Sequence, residues 1–569
     1  MEQTSARLIS LKGNRIRSLS RVEEKMDADK KFEKINWEML QKFMDKNPEM
    51  ATFLGFHDPY DKLLGDASLK AVYENLELLE EWRRKIEENI DYDSLSDNNK
   101  IDWKVLDRAH NLWKFGFYER RMHERDPEGL EGIGSLIFIM LLREYAPLEK
   151  RVEGIVSRLE KLPLSLEQFR TRFEKSLQVK LWTEIAIEKC QRIPPFFQFL
   201  VGATKGRISD QLHQRLQKAV ANLNQSLKEQ LEWLNSLLPN AKTEWAMGKE
   251  KFEKLLELRQ LGMTAGEIYQ LGVKYLKELK EERARLAQEI APGKSVEEVL
   301  KQIQENAPKT FEEVLDLTRN EVERAKQFLT DNEIATVDER DVLHVVETPA
   351  FIAPLIPFAA LWIPGQFEKV QEGIYTVTRP KDAKDLSKDA NYASIPSTAV
   401  HEGYPGHFLQ TARSNRSGSF VRHMGAGTET IEGWAHYCEE MMREHGFLTS
   451  KESRLMQVNE MIWRAVRIVV DVKLSQGEMG FDEAVDMLIK ETGMSKNGAV
   501  AEVRRYTQSP GQPLSYLLGK HLILQLRDEV KEKMGAKYDE RFFHDTMTEN
   551  GYLPIALLRD VFDMRLAEM

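Results

Sequence analysis

Apolar residues recur at helical spacing through most of the chain. Between residues 68 and 90, for example, Leu69, Val72, Leu76 and Leu79 fall on one face and charged residues on the others. Prolines and glycines separate such stretches, and no fixed repeat period emerges, so the pattern predicts a helical body rather than a solenoid. The predicted helices occupy residues 68–90, 99–125, 130–144, 148–159, 166–192, 210–238, 249–262, 264–290, 296–306, 310–332, 429–440, 451–476 and 482–491.

The pattern changes near residue 341. Two runs rich in β-branched and aromatic residues, 342–347 and 374–378, predict a small sheet just before a segment that carries two histidines. The predicted fold is therefore mostly α, a large helical body with a small β-sheet beside a metal-binding helix. A sheet edge can hold an extended peptide, which makes Tyr375 a candidate for substrate binding. The alternative is an ordinary structural hairpin.

These patterns divide the chain into three parts. Residues 1–30 mix acidic and basic residues without sustained periodicity, and we expect a partly ordered arm. Residues 31–335 form the predicted helical scaffold. Residues 336–569 form the predicted catalytic region, with the small sheet, the metal helix and the C-terminal helices.

Composition narrows the choice of partners and compartment. The net charge of −10 is spread without a basic block, which argues against nucleic acid as a partner. Only Cys190 and Cys438 occur, far apart, so no disulfide framework is indicated. The first residues lack the apolar segment of a signal peptide, and no stretch of about 20 apolar residues is present to span a bilayer. We expect a cytoplasmic protein without a membrane partner; the sequence does not indicate an oligomeric state.

Candidate metal ligands lie in residues 401–410, HEGYPGHFLQ. In the HExxH motif of zinc hydrolases the two histidines stand four apart, so that one helical face presents both to the ion. Here His401 and His407 stand six apart, a rotation of about 240° on a regular helix. Pro405 and Gly406 permit a bulge or kink that returns His407 to the same ion. The motif predicts His401 and His407 as ligands.

A second cluster supplies a candidate third ligand. Residues 429–440 read ETIEGWAHYCEE, which places Glu432, His436 and Glu439 at i, i+4 and i+7 on one helical face. Catalytic zinc usually takes three protein ligands and leaves one position for water. We therefore predict that Glu432 binds the ion and that His436 and Glu439 orient its ligands. The alternative is that the two glutamates only solvate an amphipathic helix.

A third segment, residues 504–516, gathers Arg and Tyr side chains where Pro and Gly interrupt a helix. Arg505 is a candidate for gripping the terminal carboxylate of a peptide, because a guanidinium can bind a carboxylate through two parallel bonds. Tyr506 or Tyr516 can donate a hydrogen bond to a developing oxyanion. The sequence does not distinguish between the tyrosines, and the alternative is a helix cap with surface arginines.

Taken together, these motifs resemble a known family. The residues that carry the resemblance are His401, Glu402, Pro405, Gly406, His407, Gln410, 432–435, Arg505, Tyr506, 510–512, Ser515, Tyr516 and Gly519. The set resembles the prokaryotic family catalogued as domain of unknown function 885, from about residue 45 to the C-terminus. That family is regarded as related to the mostly helical gluzincin metallopeptidases, such as carboxypeptidase Taq, thimet oligopeptidase and angiotensin-converting enzyme. The resemblance implies their fold and a peptidase-like zinc site, although the longer histidine spacing departs from the gluzincin pattern.

The sequence predicts a metallopeptidase that cleaves short peptides. Zn²⁺ would be held by His401, His407 and Glu432, and Glu402 would be the general base for a water whose pKa the ion lowers to about 7. Catalytic residues spread over three segments of a large helical body predict an enclosed site that excludes folded proteins. Two alternatives stay open: a catalytically inactive helical binding protein, and a metal hydrolase of a non-peptide amide or ester. Glu402 favours activity, because a binding protein has no need of it.

Overall fold

The computed structural model describes residues 27–174, 176–349, 356, 359–380 and 386–569. The predicted arm therefore lies outside the described residues except for 27–30, which are helical. In this described part of the chain, no helix combines the length and the apolar character needed to cross a bilayer.

The chain is mostly helical, which confirms the predicted fold class at that level. In chain order the helices are α1 (27–46), α2 (Pro48–Leu54), α3 (Leu69–Asn89), α4 (Asp97–Lys114), α5 (Met122–Arg125), α6 (Leu130–Leu142), α7 (Leu148–Arg170), α8 (Lys180–Arg192), α9 (Pro194–Thr204), α10 (Asp210–Leu237), α11 (Lys249–Leu258), α12 (Ala265–Ile290), α13 (Val296–Glu305), α14 (Phe311–Asp331), α15 (Leu386–Asp389), α16 (Ile395–Glu402), α17 (His407–Ser414), α18 (Val421–Met424), α19 (Thr428–Glu444), α20 (Lys451–Gln476), α21 (Phe481–Thr492), α22 (Lys496–Gln508), α23 (Ser515–Met534), α24 (Glu540–Glu549) and α25 (Ile555–Glu568).

Pro163 does not end a helix, and the predicted break there is wrong. The helix α7 continues through Pro163 to Arg170. Leu159, Leu162 and Leu166 lie on one buried face of α7, within an apolar cluster formed with α6 and α8–α10. Burial of that face outweighs the single backbone hydrogen bond that a proline removes. The predicted helix 166–192 is accordingly two elements, the end of α7 and the whole of α8.

A three-stranded sheet precedes the segment that carries the two candidate histidine ligands. Its strands are β1 (Val342–Glu347), β2 (Ala359–Trp362) and β3 (Glu372–Val377), in the order β1-β3-β2, with β1 parallel and β2 antiparallel to β3. The sequence predicted β1 and β3 but not the short β2. The middle strand packs closely against α17, because a Cβ added at Gly373 would lie 2.5 Å from the ring of Phe408.

The outer edge of the sheet is not wholly free. Arg319 of α14 donates a hydrogen bond from Nε to the backbone carbonyl of Val345 in β1, at 3.0 Å. Binding of a peptide along this edge stays a prediction, and it would have to begin beyond that contact.

The largest apolar cluster surrounds the candidate site. It includes buried residues of α16, α17, α19, α20 and α23, among them Phe408, Trp434 and Leu518. A second cluster lies among α6–α10, and a third joins α1, α3 and α4. The segments that carry the candidate metal ligands therefore lie in the main core, where close packing holds them in place.

Candidate metal centre

The two histidines lie on opposite sides of a break in the chain. The helix α16 ends at Glu402, and α17 begins at His407. Between them Gly403 leaves the helical conformation, with φ −99° and ψ −99°. A Cβ at Gly406 would overlap the carbonyl oxygen of His401, so only glycine fits where the chain folds back over the end of α16. The predicted widening of one helix is in fact a complete break between two.

This break brings the two imidazoles together. His401 lies in the last turn of α16 and His407 is the first residue of α17, with ring centroids 4.8 Å apart and ring planes at 89°. The indole Nε1 of Trp434, in α19, donates to the carbonyl of Pro405 at 2.9 Å. The helix α19 thus anchors the break directly.

Glu432 of α19 completes a group of three candidate ligands. Its Oε2 lies 3.6 Å from Nε2 of His407, and one ligand atom from each of His401, His407 and Glu432 lies within 4.8 Å of the others. Donor atoms around a tetrahedral zinc ion, at bond lengths of 2.0–2.2 Å, stand about 3.4 Å apart. Two imidazoles and a carboxylate are typical zinc donors, so the residues fit the ion after a small contraction.

Glu439 fixes the orientation of His401. Its Oε1 lies 2.8 Å from Nδ1 of His401 and 3.3 Å from Nδ1 of His436, and Ser397 donates to its other oxygen at 3.4 Å. Burial alone would raise the pKa of Glu439, but His436 and His401 outweigh it and hold that pKa well below its usual range. A charged carboxylate at Nδ1 leaves Nε2 of His401 to face an ion, as in carboxylate–histidine–zinc arrangements.

The histidines differ in their electrostatic surroundings. Burial lowers the pKa of His401, but the hydrogen bond to Glu439 and the charges of Glu439 and Glu402 together outweigh burial, and the net shift is upward. For His407, burial and then the nearby His401 both lower the pKa. Burial lowers the pKa of His436 to about 4, which keeps that ring neutral. Its Nε2 is buried and has no hydrogen-bond partner among the described residues.

Glu402 and Tyr375 lie on the sheet side of the site. No hydrogen bond joins the Glu402 carboxylate to another described residue, which leaves it available to accept a proton. Burial, and then the charge of Glu402, raise the pKa of Tyr375, so the tyrosine lies within electrostatic reach of that carboxylate. Tyr375 is only 2% exposed, and its role in substrate binding stays a prediction.

The third predicted segment closes the site on the other side of Glu432. Gln512 Nε2 lies 3.5 Å from Oε1 of Glu432 and 3.1 Å from the hydroxyl of Tyr516. Arg505 donates to Gln512 Oε1 at 2.6 Å and to Glu502 at 2.9 Å. Sequence analysis assigned no role to Gln512. The signal was its place after Pro510 and Gly511, where a helix ends and a side chain is free to turn inward.

The two tyrosines have different environments. The Tyr506 hydroxyl donates to Glu502 at 2.7 Å and accepts from Nε of Arg467 at 2.9 Å, so both of its hydrogen-bonding roles are filled. For Tyr516, burial and then the charge of Glu432 raise the pKa. Its hydroxyl lies 3.1 Å from Gln512 Nε2, which in turn lies 3.5 Å from Oε1 of Glu432. Of the two, Tyr516 is the one that Gln512 links to the candidate ligand.

A buried arginine supports this tyrosine pair. Arg467 of α20 is 5% exposed, and its guanidinium lies 4.5 Å from the ring centroid of Tyr516. No sequence motif marked this residue, since it lies within a long helical pattern far from the other site segments.

Two glycines set the distance between α19 and α23. A Cβ at Gly433 would overlap the backbone of Gly519, and a Cβ at Gly519 would overlap the carbonyl oxygen of Glu429. The two helix backbones are therefore in direct contact next to Glu432 and Tyr516. This contact fixes the position of the candidate ligand relative to the hydroxyl.

The fold matches two solved bacterial structures along nearly its whole length. One, "a putative lipoprotein of unknown function" from Shewanella oneidensis, has a TM-score of 0.75 and 21% identity, covering 93% of this chain and 99% of that one. The other, "the putative lipoprotein" from Colwellia psychrerythraea, has a TM-score of 0.83 and 18% identity, covering 95% and 100%. At these identities the likeness establishes the fold.

These matches correct one expectation from the sequence. Both solved structures are described as "putative" lipoproteins, which contradicts the predicted cytoplasmic location. The cytoplasmic prediction is therefore wrong. It was made from the lack of an apolar segment in the first residues and from the low cysteine content.

Family membership follows from a match over most of the chain. No curated protein matches the sequence. A family model described as "Bacterial protein of unknown function (DUF885)" matches residues 48–561, which include every segment of the metal centre. The chain therefore belongs to the DUF885 family of bacterial proteins of unknown function.

Proposed function

We propose that this chain is a zinc-dependent hydrolase that cleaves peptide bonds in short peptides, with the chemistry of the gluzincin metallopeptidases. The observation that carries the proposal is the approach of ligand atoms from His401, His407 and Glu432 to within 4.8 Å of one another. The carboxylate of Glu439 on Nδ1 of His401 supports it, because such a contact selects the tautomer that binds metal through Nε2.

His401, His407 and Glu432 would hold the ion, leaving one position open. When bound, zinc supplies Lewis acidity that lowers the pKa of water to about 7. Glu402 accepts a proton from the attacking water as its oxygen bonds to the peptide carbonyl carbon. The same carboxylic acid then protonates the leaving nitrogen as the carbon–nitrogen bond breaks.

Tyr516 would stabilise the charge that develops on the carbonyl oxygen. Its hydroxyl already accepts a hydrogen bond from Gln512, and the described residues offer no acceptor for its own proton. That proton is therefore available to a substrate oxygen. Tyr506, whose hydroxyl is engaged by Glu502 and Arg467, is the less suitable donor.

Recognition of a peptide C-terminus by Arg505 stays a prediction. Its guanidinium donates to Gln512 and Glu502, which leaves part of its five-donor fork for a substrate carboxylate. Peptides with free and with amidated C-termini, assayed on wild type and on Arg505→Ala, test this role. Equal kcat/KM for both peptide forms on wild type would remove it.

The central experiment measures metal content. Protein purified without added zinc, alone and as His401→Ala and Glu432→Ala, is analysed by mass spectrometry for bound metals. We expect about one zinc per wild-type chain and strong depletion in both variants. His213→Ala is a matched control, since that ring bonds to the carbonyl of Val201 on a distant helix. A wild-type protein that neither retains nor takes up zinc would overturn the proposal.

Substrate class is tested by comparing a pentapeptide library, casein and simple esters and amides. Cleavage of pentapeptides but not of casein fits an enclosed peptidase site. Cleavage of esters or amides alone would assign the same residues to a non-peptide hydrolase.

A further inference from the structure

Gln512 lies between the candidate ligand Glu432, Tyr516 and Arg505, although none of the proposed roles assigned so far requires a glutamine there. Its single amide group contacts three functional side chains: Arg505 at Oε1, and Glu432 and Tyr516 at Nε2. These three come from three helices, α22, α19 and α23, and belong to different proposed roles. The side chain therefore connects the metal ligand to the hydroxyl that faces it.

The loop that carries Gln512 is held from both sides. Asp471 of α20 accepts hydrogen bonds from the backbone amides of Gly511, at 3.0 Å, and Leu514, at 3.1 Å. Arg259 donates to the carbonyl of Gly511 at 2.6 Å. Gly511 has a φ of +86°, and a Cβ there would overlap the Arg259 guanidinium. The backbone next to Gln512 is thus fixed before the side chain makes any contact.

Arg505 determines which way the Gln512 amide points. A guanidinium only donates hydrogen bonds, so the atom that it meets at 2.6 Å must be the amide oxygen. The NH₂ group is then directed to Glu432 and Tyr516, where both nearby atoms are oxygens. Rotation of the amide by 180° would oppose NH₂ to the guanidinium and leave the carboxylate without its donor.

We propose that Gln512 is a positioning residue of the metal centre, which orients Glu432 toward the ion and Tyr516 toward the substrate carbonyl. The inference rests on the proposed function. The amide of Gln512 holds Oε1 of Glu432. Oε2, which lies 3.6 Å from Nε2 of His407, is then the one oxygen left to bind the ion. The same amide donates to the hydroxyl oxygen of Tyr516. The hydroxyl then takes part as acceptor toward Gln512, and its own proton is left for the substrate carbonyl.

The test uses Gln512→Glu, which keeps the shape of the side chain and an acceptor for Arg505 but puts a carboxylate against Glu432. Zinc dissociation constants are measured by competition with a chelator, without substrate. We expect affinity to fall about 10- to 100-fold, the usual effect of losing a residue that orients a metal ligand. Gln512→Ala should weaken zinc binding in the same direction.

Gln508→Glu is the matched control. Gln508 also donates from its amide to a carboxylate, that of Asp126 at 2.9 Å, but this contact lies away from Glu432. Its zinc affinity should equal that of wild type. If Gln512→Glu and Gln512→Ala bind zinc as tightly as wild type, the positioning of Glu432 is wrong, whereas wild type without zinc would instead reject the proposed function.

A double-mutant cycle tests the second half of the proposal. Gln512→Ala should lower kcat more than it raises KM, and the loss in kcat should be several-fold smaller in a Tyr516→Phe background, because the hydroxyl that Gln512 orients is then absent. If the fold losses in kcat caused by Gln512→Ala and Tyr516→Phe simply multiply in the double variant, the positioning of Tyr516 by Gln512 is wrong. Circular dichroism of each variant checks that the helical fold is kept.

Discussion

Nδ1 of His401 lies 2.8 Å from Oε1 of Glu439, which joins the last turn of α16 to a helix almost forty residues further along the chain. Glu439→Gln keeps the shape of the side chain but removes its charge. We expect zinc affinity to fall about 10- to 100-fold, because the carboxylate fixes the imidazole tautomer and raises its basicity. Chelator competition measures the change.

Glu444→Gln is the control for this prediction, since Glu444 lies on the same helix and pairs with Arg527 near the surface. Unchanged zinc affinity in Glu439→Gln would show that the carboxylate does not support the ligand.

Glu402→Gln separates metal binding from proton transfer. The amide is nearly the same size as the carboxylate but cannot accept a proton from water. We expect zinc content to stay at the wild-type level while kcat falls at least about 10²- to 10⁴-fold. Metal analysis and peptide turnover on one preparation check both halves. Turnover near wild type would place the general base elsewhere.

Gly406→Ala should disrupt the break between α16 and α17. The added Cβ would overlap backbone oxygens of Val400 and His401, and backbone atoms cannot turn aside as a side chain can. We expect a loss of about 1–3 kcal/mol or more in the free energy of unfolding, with weaker zinc binding. Gly418→Ala is the matched control, because a Cβ there meets no atom within 4 Å. Equal stability of the two variants would contradict the steric argument.

His57 should make stability depend on pH. Its Nδ1 lies 3.1 Å from Asp61, its Nε2 lies 2.9 Å from Glu368, and its ring stacks on Tyr145 at 3.4 Å. Burial lowers the pKa of His57, but the two carboxylates outweigh it and the net shift is upward. A raised pKa contributes stability that is complete below the unfolded value, about 6.5, and is lost as the pH rises through the folded value.

His57→Gln should therefore destabilise the protein more at about pH 5.5 than at about pH 9, with a loss of about 1–3 kcal/mol on the acid side, typical of hydrogen bonds to charged groups. Urea unfolding at both pH values measures the difference. An equal loss at both would show that the ring is neutral throughout.

Local sequence signals were enough for regular elements such as α20, although they placed a false break at Pro163 and missed β2. The bounds predicted for α20, 451–476, agree with the structure, because Ser450 caps its start and Gly477 ends it in a left-handed conformation. The candidate ligands were found in the same way, by residue type and spacing. Such signals depend on neighbours within a few residues, which sequence displays directly.

The remaining features depend on contacts between distant segments. The position of His407 follows from a break that Trp434 of α19 anchors at Pro405. The proposed role of Tyr516 rather than Tyr506 rests on Glu502 and Arg467, which fill both hydrogen-bonding roles of the Tyr506 hydroxyl. Neither contact has a periodic or local pattern, so sequence reasoning left both questions open.

The direct contact of α19 and α23 at Gly433 and Gly519 has a consequence for how this site can diversify. The two helix backbones touch at these glycines, and a backbone cannot adjust by changing rotamer as a side chain can. A larger residue at either position would therefore move the whole helices apart, and Glu432 and Tyr516 with them. In the proposed hydrolase, changes in substrate preference would then arise in the loops and strands around this fixed pair. The reaction chemistry and the choice of substrate would thus be altered by separate sets of substitutions.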